Sequence, residues 1–240
     1  MSFKRKIYKF KNAIEIEEYH TYRYGAPGMK RNKKKKATPE DMVKVNQWRR
    51  EKNCRHKLRT YFDVNDYFIT LTYQKDLRPA DMQTAKNQYA AFIRKLQRKY
   101  KKAGTELRWI RNIEVGTRNG WHIHLVVNRV PDLDVMINEA WPYGYPDIKM
   151  LRKFREFAEV AAYLVKTPRT DPRLREANYS SSRNMPLDDP VTKIYLHWKT
   201  WKKPKIKEGW ELDREAYIEG LNPVTGFPYR HYTLLRSRRC

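Results

Sequence analysis

The spacing of apolar residues changes along the chain, and each spacing predicts a type of element. Residues 66–74 (DYFITLTYQ) are rich in β-branched and aromatic side chains, which predicts a strand. Residues 78–102 begin with an Arg-Pro pair and carry apolar side chains at helical spacing, which predicts an amphipathic helix with a basic opposite face. Its predicted buried stripe is formed by Ala85, Tyr89, Phe92, Leu96 and Tyr100.

The middle of the chain continues with patterns that predict the fold class. Two strands around a glycine-containing turn, a short helix, a short strand and a second amphipathic helix ended by Pro168 are predicted at 106–115, 122–128, 132–141, 145–151 and 151–167. The resulting order, β-α-β-β-α-β-α, is typical of an α+β fold in which an antiparallel sheet carries helices on one face.

The N-terminal part differs in composition from this middle part. Residues 1–25 alternate in places and predict short strands. Residues 30–36 contain six basic side chains, which predicts a mobile linker or a DNA-contacting arm because like charges repel one another. Thr38, Pro39 and Asp41 then predict the start of a basic helix.

The C-terminal part begins with a polar stretch at 170–190, whose Pro, Ser and Asp residues predict a long loop. Residues 193–198 and 228–235 resemble strands and predict a small β-rich appendage. We therefore expect three segments: N-terminal strands, basic arm and basic helix in 1–60, the core in 61–169, and the loop and appendage in 170–240.

The charge of the chain indicates a polyanionic partner. Lys and Arg number 52 against 27 Asp and Glu, a formal net charge of +25. The basic residues are interleaved with 17 Tyr and 7 Trp, a combination suited to phosphate contact and base stacking. Candidate DNA-binding residues on the basic helix are Trp48, Arg49, Arg50, Arg55 and Lys57, with a solvated helix face as the alternative interpretation.

Cysteine usage and hydropathy favour a cytoplasmic protein. Cys54 and Cys240 are the only cysteines, so neither a disulfide framework nor a thiolate zinc site is expected. The chain contains no apolar run long enough to cross a membrane and no signal-peptide pattern.

Two histidines are the first candidates for chemistry. His122 and His124 are separated by one residue on a predicted strand, so both side chains project from one face. The alternate positions Ile123, Leu125 and Val127 then face the core. Neutral imidazole binds borderline divalent ions, which makes the pair candidate metal ligands. Two surface histidines on a half-exposed strand are the alternative.

A carboxylate on the preceding predicted strand is a third candidate ligand. Glu114 lies in an otherwise apolar segment, where an unpaired charge is costly. A two-residue turn ending at Gly120 would turn Glu114 away from the histidines. A three-residue loop, 118–120 with Gly120 left-handed, would pair Glu114 with His124 on the same face. Gly120 suits both loops, and we predict the second.

The last predicted helix carries a tyrosine away from its apolar stripe. Tyr163 lies opposite that stripe, and Lys166 follows it by three residues. The stripe comprises Leu151, Phe154, Ala158, Ala161 and Val165. A phenol of pKa about 10 is a poor nucleophile at neutral pH, but a nearby metal-bound phosphate and a cation favour its phenolate.

These features resemble, in their order, the three motifs of HUH-superfamily endonucleases. The motifs are FITLTY at 68–73, the strand of Glu114 running into WHIHLVV at 121–127, and YLVK at 163–166. The chain is most similar to single-tyrosine rolling-circle replication initiators of bacterial plasmids, phages and integrative elements. The similarity spans residues 30–195 and implies a ferredoxin- or RRM-like core.

The resemblance implies a role for each candidate. His122, His124 and Glu114 would hold one Mg²⁺ or Mn²⁺ ion. Tyr163 would attack the scissile phosphate of single-stranded or hairpin origin DNA, leaving a 5′-phosphotyrosine link and a free 3′-OH. Lys166 would hold the phosphate or neutralise its charge. Thr70 and Thr72 are interpreted as sheet packing or backbone support.

The resemblance also implies partners. Arg183, in the stretch YSSSRNMPLDDP, is a further DNA-binding candidate, with a flexible polar loop as the alternative. The sequence contains no GxxxxGK[ST] motif. We therefore expect a host helicase to unwind the DNA and a host polymerase to extend the 3′-OH.

Two other functions remain open. One is a relaxase or a single-strand transposase of the same superfamily. Relaxases usually carry three clustered histidines and an N-terminal tyrosine, and the small transposases are typically shorter than this chain. The other is a non-enzymatic nucleic-acid-binding protein whose histidine pair is incidental or binds zinc.

Overall fold

The computed structural model describes residues 3–20, 38–116, 120–153, 155–166, 179–196, 200–222 and 225–237. Contacts divide the chain into two units, here called the core unit (Glu51–Pro186) and the accessory unit (Met1–Arg50 with Leu187–Cys240). This grouping differs from the three expected segments, because strands from the two ends of the sequence pair in one sheet.

The α+β fold class is confirmed by ten strands and four α-helices within the described residues. The strands are β1 (Phe3–Lys9), β2 (Ala13–His20), β3 (Tyr67–Thr72), β4 (Trp109–Val115), β5 (Trp121–Val127), β6 (Pro146–Met150), β7 (Tyr179–Ser181), β8 (Val191–Tyr195), β9 (Trp210–Leu221) and β10 (Pro228–Arg236). The helices are α1 (Pro39–Tyr61), α2 (Met82–Lys102), α3 (Leu133–Ala140) and α4 (Glu156–Val165). None of the helices in the described ranges has the length and hydropathy needed to span a bilayer.

Side-chain caps begin the first two helices. The Thr38 hydroxyl accepts a hydrogen bond from Asp41 N at 3.2 Å, and the Asp41 carboxylate accepts one from Thr38 N, as predicted for this helix start. Helix α2 begins later than predicted because Asp81 caps it, accepting from Thr84 N at 2.7 Å. All five residues of the predicted α2 stripe are buried.

The sheet of the core unit is antiparallel, with the order β6-β3-β5-β4-β7, and helices cover both of its faces. Leu125 and Val126 are neighbours on β5, so their side chains point to opposite faces. Leu125 packs with residues of α2 and α3, whereas Val126 packs with residues of α1 and α4. The expectation of helices on one face is therefore wrong. His122 and His124 share the face of Val126.

Helix α4 is shorter than predicted. It begins at Glu156, because Leu151 is held by backbone hydrogen bonds to the segment before β3, with its N–H donating to Asp66 O at 2.8 Å. The Glu156 carboxylate then accepts from Arg152 N at 3.0 Å. The helix residues that are buried are Phe157, Ala161, Leu164 and Val165, which differ in part from the predicted stripe. Phe154, part of that stripe, lies outside the described residues.

Strand β7 falls within the stretch predicted to be a loop. Its residues pair with β4 at the edge of the sheet, with Ser181 opposite Ile110 and Tyr179 opposite Asn112. A short serine-rich edge strand has no apolar alternation to detect, and backbone hydrogen bonds to β4 hold it in the sheet. Residues 167–178 of the same stretch lie outside the described residues.

The accessory unit contains an antiparallel sheet with the order β8-β1-β2-β10-β9. Strands β1 and β2 agree with the strands predicted in residues 1–25, and β8 and β10 agree with those predicted near the C-terminus. The 12-residue β9 was not predicted, because its charged residues interrupt the apolar alternation. Its apolar side chains Trp210, Leu212 and Tyr217 pack against Ile16, Tyr232 and Leu234.

Candidate active site

The register of β4 and β5 places the three candidate ligands on one face. Glu114 lies directly opposite His122, and His124 lies two residues further along β5. Gly116 N donates to Gly120 O at 2.7 Å, so three residues, 117–119, separate the paired glycines and lie outside the described residues. Because side chains alternate with a period of two, this register and the predicted one share the same facing.

The predicted register itself is wrong in two details. Glu114 pairs with His122 rather than with His124. Gly120 does not adopt the left-handed conformation expected of it. The loop is shifted by one residue towards the N-terminus, so the partner of Glu114 moves by two residues and the common face is preserved.

Tyr163 reaches this face from α4. Its hydroxyl lies 2.7 Å from His124 Nε2 and donates to Glu114 Oε2 at 3.2 Å. Glu114 Oε2 is in turn 3.0 Å from His124 Nε2. The tyrosine is 37% exposed, consistent with its predicted position opposite the buried stripe. The fold therefore brings a phenol, an imidazole and a carboxylate into one hydrogen-bonded cluster.

Strand β3 orients His124 from its other side. Thr70 lies opposite His124, and its hydroxyl is 3.2 Å from His124 Nδ1. The Phe68 ring stacks on the imidazole, with centroids 6.0 Å apart, and meets the Tyr163 ring edge-on. Thr72 instead donates to Tyr145 O at 2.5 Å, which agrees with its predicted backbone-supporting role.

Sequence reasoning missed Phe68 and gave Thr70 no contact to a specific residue. A signal was present, since both occupy alternate positions of β3 and share the facing of the histidines on β5. Asn112 was also missed. It is fully buried opposite His124, and its amide has no hydrogen-bond partner among the described residues.

The electrostatics keep the tyrosine protonated. Desolvation and the negative charge of Glu114 raise the pKa of Tyr163 to about 12. The pKa of Glu114 is lowered, chiefly by its hydrogen bond to His124. Desolvation lowers the pKa of His122. At neutral pH the protein by itself therefore holds a phenol and not the phenolate that the sequence argument invoked.

Lys166 lies just beyond the last residue of α4 and is exposed. Its backbone N–H donates to Tyr163 O at 3.3 Å. Its positive charge is the smallest of the named causes that lower the pKa of Glu114. The cation therefore acts on the cluster through space, without a described hydrogen bond to it.

The donor types suit a divalent ion, but the side chains do not form a closed set of ligands. Two imidazoles and a carboxylate share one face, a donor set typical of Mg²⁺ or Mn²⁺ enzymes and other imidazole-binding ions. The His122 and His124 rings are nevertheless centred 6.2 Å apart. Within the described ranges, no three His, Cys, Asp or Glu side chains are arranged to hold an ion. The predicted metal site therefore remains a proposal.

The predicted DNA-binding residues lie in different surroundings. Arg49 and Arg50 are exposed on α1, and Arg55 is partly buried. Trp48, in the accessory unit, meets the Tyr229 ring edge-on at 6.2 Å. In the core unit, Lys57 donates to Ser181 Oγ at 2.7 Å, so it also supports β7. Arg183 is exposed and lines a cavity of about 890 Å³.

Residues 66–168 match the sequence model of a family described as Replication-associated protein ORF2. The matched segment runs from β3 to just beyond α4 and contains the three candidate ligands, Tyr163 and Lys166. No curated protein and no solved structure matches the chain. The segment that carries the candidate site is therefore similar to replication-associated proteins.

Proposed function

We propose that this protein is a site-specific DNA endonuclease that nicks and rejoins one strand at a replication origin, initiating rolling-circle replication. The observation that carries the proposal is the placement of the Tyr163 hydroxyl 2.7 Å from His124 Nε2 on the face that also bears Glu114 and His122. The match of residues 66–168 to a replication-associated family supports the same reaction class.

Tyr163 is the nucleophile of the proposed reaction. Its Oη forms a bond to the scissile phosphorus as the bond from phosphorus to the 3′ oxygen breaks. The phenol proton passes to Glu114 or His124, the two groups within 3.2 Å of Oη, and the 3′ oxygen takes a proton from solvent. The products are a 5′-phosphotyrosine link and a free 3′-OH.

His122, His124 and Glu114 are the residues that would hold an Mg²⁺ or Mn²⁺ ion. When bound, the ion would supply Lewis-acid polarisation of the phosphate and favour the ionised phenol. Thr70 keeps the His124 ring directed at the site through its contact with Nδ1. Lys166 adds positive charge on the side of α4, where the phosphate oxygens would approach.

A covalent adduct assay tests this function. Wild-type protein incubated with single-stranded cognate origin DNA and Mn²⁺ is expected to give an SDS-stable protein–DNA adduct, and Tyr163→Phe to give none. Tyr145→Phe is a matched control, because Tyr145 is 73% exposed and its hydroxyl is not part of the cluster.

Two results would contradict the proposal. One is the absence of an adduct between wild-type protein and a verified origin, with DNA binding retained, as expected of a non-enzymatic binding protein. The other is an undiminished adduct from Tyr163→Phe. A host helicase and polymerase are the proposed partners, since the 3′-OH requires extension and the chain has no GxxxxGK[ST] motif.

A further inference from the structure

One face of the accessory sheet contains a cavity of about 620 Å³. Strands β8, β1, β2 and β10 contribute residues to it, as do Trp210 of β9 and the segment that precedes this strand. The volume falls in the range of pockets that bind small molecules or single nucleotides. No function assigned above uses this cavity.

The floor of the cavity is apolar because of the strand register. Ile7 lies opposite both Ile16 and Val191, and Tyr232 lies opposite Ile16, so their side chains share a face. Ile16 and Tyr232 are buried. This floor gives the flat apolar surface that a nucleobase requires.

Aromatic rings add to this floor. The Phe3 ring stacks on Tyr195 with centroids 4.5 Å apart and planes within 13° of parallel. Arg5 donates to the Tyr195 hydroxyl at 2.9 Å, which fixes the ring further. Tyr195 and Trp210 are only partly buried, so parts of their surfaces remain accessible. Ordered aromatic rings provide stacking faces at little entropic cost.

The remaining lining residues are strongly basic. The lysines that line the cavity are Lys9, Lys193, Lys202, Lys203, Lys205 and Lys207. Among the described lining residues, none is an aspartate or glutamate. Arg5 also lines the cavity, but its guanidinium contacts the buried Glu18 at 2.6 Å, so its charge is compensated. The excess positive charge therefore resides on the lysines.

We propose that this cavity binds single-stranded DNA, with a base on the aromatic and apolar floor and flanking phosphates on the lysines. The inference rests on the proposed function only for the choice of DNA as the polyanion. A stacked duplex can place phosphates on the lysines, but its paired bases cannot enter a cavity of this kind. The accessory sheet would thus hold the unpaired strand independently of the chemistry at Tyr163.

A binding experiment in the absence of chemistry tests this site. The full chain with Tyr163→Phe, in EDTA, is titrated with a labelled thymidine oligonucleotide of about 12 nucleotides, a length within the usual site size. Adding Lys203→Glu and Lys205→Glu should weaken binding by about tenfold or more and reduce its salt dependence. Arg94→Glu with Arg98→Glu makes the same charge change on exposed residues of α2 and should have a much smaller effect.

A second variant tests the stacking face. Trp210→Leu keeps an apolar side chain but removes the aromatic ring, and should weaken single-strand binding by about fivefold or more while leaving duplex binding unchanged. Thermal unfolding monitored by circular dichroism verifies that each variant is folded.

Two outcomes would overturn the proposal. Equal losses in the two charge-reversal pairs would indicate diffuse electrostatic binding, and equal losses for single strand and duplex would indicate phosphate contact alone. Neither outcome depends on adduct formation. A failure of the proposed nicking activity in wild-type protein would therefore be distinguished from a failure of this site.

Discussion

The Tyr163 hydroxyl lies 2.7 Å from His124 Nε2, although 39 residues separate the two in sequence. This contact joins α4 to β5, and the hydrogen bond from Tyr163 to Glu114 joins the same helix to β4. The two bonds hold the candidate nucleophile on the sheet face in its protonated form. They also place on one cluster the groups that would receive its proton.

We predict that Glu114→Gln lowers the pKa of Tyr163 from about 12 towards 10. The negative charge of Glu114 disfavours the phenolate, so its removal stabilises the ionised form, while desolvation keeps part of the shift. Titration of tyrosine ring-labelled protein by NMR in the absence of metal measures this, with Tyr163→Phe assigning the signal. Glu159→Gln, on an exposed position of the same helix, is the control. An unchanged pKa would attribute the whole shift to burial.

Thr70→Val should reduce nicking and metal affinity by about 10–100-fold, as for other residues that orient a metal-ligating histidine. Valine preserves the shape of the side chain but loses the oxygen that lies 3.2 Å from His124 Nδ1. Thr70→Ser retains that oxygen and should restore most of the activity. Adduct formation at increasing Mn²⁺ concentrations measures both variants. Equal loss in the serine and valine variants would contradict an orienting role for the hydroxyl.

His122→Ala is expected to abolish Mn²⁺-dependent nicking while leaving salt-sensitive DNA binding largely intact. The imidazole shares the face of Glu114 and His124 and is a proposed metal ligand, so its loss removes a donor without changing the basic surfaces. Adduct assays and gel shifts at several salt concentrations separate the two activities. A parallel loss of nicking and of DNA binding would instead indicate that His122 is structural.

Gly144→Ala should destabilise the core unit. A Cβ at this position would lie 2.2 Å from Thr72 O and 2.9 Å from Tyr73 Cα, and both are backbone atoms that cannot rotate away. We expect a loss of about 1–3 kcal/mol or more in the free energy of unfolding. Urea denaturation followed by circular dichroism measures it. Gly220→Ala, where the added methyl group meets open space, should leave the midpoint nearly unchanged.

Local patterns were sufficient to predict many elements. The α2 stripe from Ala85 to Tyr100 is buried as predicted, because helical periodicity records which face meets the sheet. The Thr38–Asp41 cap was also predictable, because both partners lie within one helical turn. The common facing of His122 and His124 follows from the alternation of a single strand.

Contacts between distant segments were not predictable in this way. Helix α4 begins at Glu156 and not at Leu151, because Leu151 hydrogen-bonds to Asp66, far away in sequence. Strand β7 forms because β4 offers it an edge, although its serines carry no apolar period. Strands β1 and β10, from opposite ends of the chain, share a sheet through β2.

The sequence by itself determined the element types, the order of the motifs and the residue types available for chemistry, since these depend on neighbours a few positions apart. The tertiary structure alone decided the pairing of Glu114 with His122, the approach of Tyr163 to His124 and the neutral state of the phenol. Register, long-range hydrogen bonding and desolvation arise only when separate elements pack. They are therefore properties of the folded chain and are not encoded in any one segment.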